Sequence, residues 1–241
     1  MALATYETRT RQLLQNPGAP TTLYATSDID NWINQARQQL ASEGECIQAI
    51  GTIQTSVGNR VYNFTGVDSF STGIASALKI ERINMNIAGG QSWVTPRSFP
   101  YFELYFLNNA VVTNGPPKRW SQLGQGSTGT FYLDPPPDAI YTLQCRCVCL
   151  PSNLASDADP ETIPFPWTDA IAYYAAYLAL LSAQSPARQA DGMRYFNIYT
   201  EFVQRARTFS NPDIVRHQYI QAQDETLINK LAMAKAQGGG Q

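Results

Sequence analysis

The chain has 241 residues, of which 44% are hydrophobic and 11% aromatic but only 15% charged, with a formal net charge of −2. There is ample apolar material for a core, and the surface is filled by Gln, Asn, Ser and Thr more than by ions. The near-neutral balance, without a Lys/Arg run, excludes charge-driven nucleic-acid binding, and the longest apolar run, residues 170–183, is shorter than the ~20 residues of a membrane span.

The first twelve residues, MALATYETRTRQ, lack the apolar centre of a signal peptide, so a soluble protein made in the cytoplasm is expected. Residues 5–15 predict a helix with a thin stripe of Tyr6, Leu13 and Leu14, stopped by Asn16-Pro17-Gly18. A second helix starts near Thr26, where Ser27 and Asp30 stand in a capping-box relation. Ile29, Trp32, Ile33, Ala36 and Leu40 share one face of it, and Gly44 closes it.

From Cys46 to Leu150 the pattern changes to short alternating runs. Residues 50–56 and 61–64 flank Val57-Gly58-Asn59-Arg60, a hairpin signal. A strand over 78–87 alternates through Ile83, Met85 and Ile87 and turns at Ala88-Gly89-Gly90. Near 101–108 a short helix is expected, capped by Ser98 and with Pro100 in its first turn. Gly115-Pro116-Pro117-Lys118-Arg119-Trp120 reads as a proline-stiffened loop with Trp120 docked on the sheet. Its aromatic and two cations also make Trp120 a candidate partner contact. Residues 131–133 and 140–150 flank Asp134-Pro135-Pro136-Pro137-Asp138, a turn that no strand crosses.

Residues 159–209 carry the strongest helical pattern. Trp167, Ile171, Tyr174, Leu178 and Leu181 recur at helical spacing; a second helix begins at Pro186 and carries Phe196, Tyr199, Val203 and Ala206. A short link makes the two antiparallel neighbours. Trp32 and Trp167 head apolar stripes and are expected to be buried. Beyond Pro212, the residues Ile214, Val215, Tyr219, Ile220, Leu227, Ile228 and Leu231 have no evident intramolecular partner. They are the candidate partner-binding residues of a segment that orders on binding. Gly238-Gly239-Gly240 is a frayed end.

The fold class expected from these elements is α+β. It is an antiparallel helical bundle of about four helices (residues 1–45 with 160–209), an inserted small antiparallel β-domain (46–159) and an extended C-terminal arm (210–241). No phosphate loop, nucleophile elbow, paired-histidine helix or EF-hand loop occurs. Asp157 with Asp159, and Asp134 with Asp138, are carboxylate pairs, but each lies beside proline in a turn, where aspartate caps routinely. Cys145, Cys147 and Cys149 alternate on one strand face and read as buried reduced thiols; Cys46 and His217 complete no zinc spacing. No catalytic residue, cofactor or metal is expected, and no enzyme.

The ordered parts then resemble a known family. A helix with Asp28, Trp32, Ile33, Asn34 and Ala36 in D-x-x-x-W-I-N-x-A comes first, then the G-P-P-x-x-W loop, and then the D-P-P-P-D turn. The long strand ends in Leu150-Pro151-Ser152-Asn153-Leu154, and I-P-x-x-W at Ile163 to Trp167 opens the closing helices. Over roughly residues 5–207 this resembles the head-to-tail adaptor, or head-completion and connector, proteins of tailed bacteriophages. The resemblance implies a structural virion protein at the junction of capsid and tail. It would form a ring of typically twelve copies below the portal protein and extend the channel through which DNA passes without sequence-specific binding. It would also offer a platform to the next tail or nozzle protein. The resemblance further implies that the helices form the ring, that the C-terminal arm reaches the portal, and that no membrane is involved. A tail-associated enzyme or carbohydrate-binding module, or another tail or baseplate component, is the alternative. An enzyme should show convergent polar groups in a pocket, whereas an adaptor should show broad apolar or Gln/Asn-rich faces.

Overall fold

The computed structural model describes residues 2–16, 23–87, 90–104, 113–182 and 185–210. Chain order runs α1 (Leu3–Leu13), α2 (Thr26–Gly44), β1 (Gln48–Gln54), β2 (Val61–Asn63), β3 (Ile74–Ile87) and β4 (Gly90–Pro96). A short α3 (Phe99–Phe102) follows, then β5 (Arg119–Leu123), β6 (Thr130–Asp134), β7 (Thr142–Pro151), α4 (Thr168–Leu181) and α5 (Pro186–Ser210).

All seven strands belong to one sheet, in the order β1-β7-β3-β4-β5-β6-β2. Every pairing is antiparallel except β4 with β5, where Thr95 stands beside Arg119 and Pro96 beside Trp120. The two end strands, β1 and β2, are consecutive in the chain and joined only by residues 55–60. A sheet whose opposite edges are tied by six residues must curl. The long β3 supplies the bend, because its register against β7 shifts at three places between Ile74 and Arg82, and each such irregularity adds twist and curvature. The result is a half-barrel with five helices among the described residues.

This overturns the expected fold class. The chain is not a helical bundle carrying a small antiparallel insertion: the sheet is seven-stranded, mixed and curled. One continuous apolar cluster runs from Leu3 and Tyr6 in α1, through Ile33 and Leu40, to Ile80, Ile83, Cys145, Phe131 and on to Ile171 and Tyr199. The residues around Val57-Gly58 likewise make no hairpin. β1 pairs with β7 and β2 with β6, because both flanking runs find longer, more apolar partners elsewhere in the chain. By contrast, the strand expected through Met85 and Ile87 does form as part of β3, and it pairs antiparallel with β4.

Among the helices, α2 buries Ile29, Ile33, Ala36 and Leu40, the face read from its period. Its start differs: Ala25 occupies the N-cap without a side-chain bond, so the Ser27–Asp30 box does not form. Likewise α3 begins after Ser98 without a hydroxyl cap, although Pro100 does sit in its first turn. In α4 the buried face is Ala170, Ile171, Ala172, Ala175, Ala176, Ala179 and Leu180. Leu181 is exposed and Tyr174 only half-buried. This helix is apolar nearly all round, so period alone does not choose a face; the alanines win because they let α2 and α5 approach closely. Trp32 and Trp167 are half-buried, not enclosed: Trp32 meets Tyr24 edge-on at 5.5 Å and Trp167 stacks on Phe209 at 6.0 Å. These two partly exposed tryptophans pack against the edge of the cluster.

Candidate interaction surfaces

The carboxylate pairs resolve into structural roles. Asp159 accepts the backbone N–H groups of Ala155 and Ser156 at 2.6 and 2.7 Å, and these bonds hold its carboxyl below the usual aspartate range. Asp157 accepts from Ala4 N at 2.7 Å, tying α1 to the segment before α4. Asp138 accepts the Tyr141 hydroxyl at 2.7 Å. Asp134 takes Arg60 at 3.1 Å and Arg119 at 3.3 Å.

The three alternating cysteines are free and buried together on the inner face of β7. Burial pushes the thiols of Cys145 and Cys149 up to about 12 and raises that of Cys147 as well. They therefore stay protonated at neutral pH, the form that neither attacks nor ligates. Among the described residues no group of three His, Cys, Asp or Glu side chains is placed to hold a metal ion.

One buried ionic centre went unread in the sequence. Arg37 lies on the apolar face of α2, four residues after Ile33 and three before Leu40, and its guanidinium is buried. Its Nη2 and Nε reach Glu161 Oε1 and Oε2 at 2.9 and 3.1 Å, and Nη1 donates to the Ser152 carbonyl at 2.6 Å. The Tyr6 hydroxyl and the Ile163 N–H complete the shell at 2.7 and 2.9 Å. Burial pushes the Glu161 carboxyl up, but the Arg37 guanidinium and these donors outweigh it and hold it below the ordinary range. The signal was an arginine at a core position of a helix, which asks for a buried acid elsewhere. This centre pins α1, α2 and the chain leaving β7 to one another; all its donors and acceptors are used internally.

Among the cavities, a groove of about 360 Å³ lies between α1, α4 and α5, lined by Leu13, Ala172, Tyr173 and Phe202 with the Arg9–Asp169 ion pair and Gln12 at its rim. Its floor is apolar and its ions neutralise each other, so it lacks the convergent polar set of a catalytic pocket.

What the molecule does present is exposed apolar and amide surface at three places. On the convex face of the sheet, Ile50, Arg146 and Arg82 lie directly across β1, β7 and β3, and Arg82 stacks 4.1 Å over Trp93 on β4. Asn84, Gln144 and Gln91 fill the rows beside them, Gln91 donating to Gln144 at 2.9 Å. At the loop end, Gly58 N donates to the Pro137 carbonyl, Gly115 N to that of Pro136 and Thr55 N to that of Tyr141. These bonds make a rigid platform of three turns, and Gly58 supplies the positive φ, +74°, that its turn requires. Val57 and Ile140 stand out from it, 60% and 70% exposed. At the helix end, Phe165 and Phe209 are 82% and 73% exposed beside Trp167.

Trp120 is 3% exposed, so its ring is a docked anchor of β5 inside the sheet. The Lys118–Arg119 stretch is tied down as well: Lys118 N donates to the Asp134 carbonyl and Arg119 pairs with its carboxylate. Ile214, Val215, Tyr219, Ile220, Leu227, Ile228 and Leu231 lie outside the described residues. No described helix is long and apolar enough to cross a membrane.

Comparison with known proteins agrees with a surface built for protein contacts. A family model described as SU10 adaptor protein matches residues 1–216, most of the chain. A search of curated proteins returns no match.

Proposed function

The chain belongs to the SU10 adaptor protein family of bacteriophage structural proteins, and we propose on that premise that it is the head-to-tail adaptor of a virion. In this reading, copies assemble into a ring, of twelve by the family resemblance, that docks under the portal protein. The ring extends the DNA channel and offers its loop platform or convex sheet to the next tail or nozzle component. The helical part, residues 1–45 with 160–209, carries the ring contacts. Residues 210–241 act as the arm, with Ile214, Val215, Tyr219, Ile220, Leu227, Ile228 and Leu231 meeting the portal. Trp120 supports its loop from within.

The observation that carries this reading is the family match over residues 1–216. The broad Asn/Gln-rich convex face, set against a groove without convergent polar groups, supports a structural adaptor over an enzyme. The test is size-exclusion of the purified chain with and without portal particles. A ring-sized species and co-elution with portal are expected. A chain that stays monomeric in both and passes portal particles by would overturn the proposal.

A further inference from the structure

Sheet edges are where β-proteins either guard themselves or pair. The two edges here are treated differently. On β2, the even-numbered residues face β6: Phe64 N donates to Gly129, and Leu133 N donates to the Arg60 carbonyl. Val61 therefore turns its N–H and C=O outward, and the side chain of Asn59 takes both, at 3.2 and 2.9 Å. At Val61 that edge is plugged. On β1, Cys149 N donates to the Ile47 carbonyl, so odd-numbered residues face β7 and Gln48, Ile50 and Thr52 face outward. Thr52 is covered, exchanging both backbone bonds with Asp68 at 2.9 and 3.0 Å. Among the described residues nothing pairs with the outward backbone groups of Gln48 and Ile50, and Ile50 stands there 62% exposed.

We propose that this open edge of β1, at Gln48 and Ile50, takes an extended stretch from residues 211–241 of a second copy, which adds a strand to the sheet. The occupant follows from where the described chain ends. The Ser210 carbonyl accepts Gln48 Nε2 at 2.6 Å, so each copy launches its last residues from the mouth of this edge. Fully extended, they reach on the order of 100 Å, enough for a neighbour. A copy's own segment would start beside Gln48 and run parallel to β1, meeting Asp68 at Thr52, four residues on. A neighbour's segment can enter antiparallel, which is how β1 already meets β7 and is the better-bonded arrangement. Ile214 and Val215, side by side and β-branched, suit a strand. Repeated head to tail, one such contact per copy closes a ring. In that respect the inference rests on the ring reading above, and it reassigns Ile214 and Val215 from the portal to the neighbouring copy.

The test uses the full chain with Ile50→Pro and Ile50→Thr. Proline removes the outward N–H, which bonds nothing among the described residues, and fixes φ, whereas threonine keeps the N–H and the β-branched side chain. Sedimentation over a concentration series should show the parent and Ile50→Thr associating, and Ile50→Pro associating about tenfold more weakly or worse. Far-UV circular dichroism and Tm report that the proline variant is folded. If Ile50→Pro is not folded, the amide exchange of the parent decides. Protection at Gln48 and Ile50 that rises with concentration supports the proposal, and protection independent of concentration overturns it. If folded Ile50→Pro assembles like the parent, the edge proposal falls while the adaptor reading stands. If the parent never assembles, alone or with portal particles, both fall.

Discussion

Two ionic anchors hold this molecule, and they differ in burial. Arg37 and Glu161 are 1% and 5% exposed and join α1 and α2 to the chain leaving β7. Asp134, between Arg60 and Arg119, sits at the rim where turns meet, and Arg119 is 41% exposed. In the first, both charges are enclosed and depend on each other; in the second, Asp134 is buried too, but Arg119 is open enough for water to take its place. The same chemistry is therefore a structural requirement at one end and a minor convenience at the other.

The largest effect should come from cutting the buried anchor on one side. Arg37→Met leaves Glu161 buried with only Tyr6 and Ile163 as donors, and should cost about 3–5 kcal/mol in denaturant unfolding. The double change Arg37→Met with Glu161→Leu should cost less than either single change, because no orphaned charge remains. Equal or greater loss in the double would mean that the ions contribute net stability beyond mutual neutralisation.

Acid sharpens the contrast. Glu161 has a folded-state pKa below its unfolded value, so the stability it contributes is present above the ordinary glutamate range, near pH 4.5. That stability is lost as pH falls through the depressed folded value. As pH falls below the ordinary glutamate value of about 4.5, the parent should lose stability more steeply than Glu161→Gln. Parallel curves would remove Glu161 from the acid response.

Close packing gives an intermediate case. A Cβ on Gly129 would lie 2.4 Å from the Phe64 ring, so Gly129→Ala must displace a buried aromatic and should cost about 1–3 kcal/mol. Trp167→Ala should cost less than a fully enclosed tryptophan would, about 1–2 kcal/mol, because only the stack on Phe209 and half the ring's burial are lost. Both follow from thermal melts with the parent as reference.

How far the sequence was legible follows the same division between local and distant determinants. Periodicity named the buried face of α2 and the strand that ends at Ile87, because each is decided by residues near one another in the chain. It missed the half-barrel, since the alternation that marks a strand is silent about which strand lies beside it; β1 finds β7 some ninety residues away. It also misjudged α4, where apolar residues surround the helix and only the partner surface selects the alanine face. Arg37 was visible as a cation on an apolar stripe, but Glu161 as its partner required the fold. The open and plugged edges depend on the Asn59 side chain and the Asp68 backbone, and these residue types alone mark nothing more than turns.

The smallest expected effect belongs to Arg119. Its side chain is well exposed, its bond to Asp134 is 3.3 Å long, and the same carboxylate keeps Arg60 at 3.1 Å. The two residues already face each other across β5 and β6, with Lys118 N bonded to the Asp134 carbonyl. The backbone thus places the loop whether or not the ions pair. Arg119→Ala should therefore cost less than about 1 kcal/mol, and the difference from parent should shrink further between low salt and about 1 M NaCl as the charges are screened. Arg60→Ala should cost more, since Arg60 is the less exposed partner at 18%. A loss on Arg119→Ala that matched Arg37→Met, or one indifferent to salt, would mean that the rim anchor behaves like the buried one and that exposure does not separate the two.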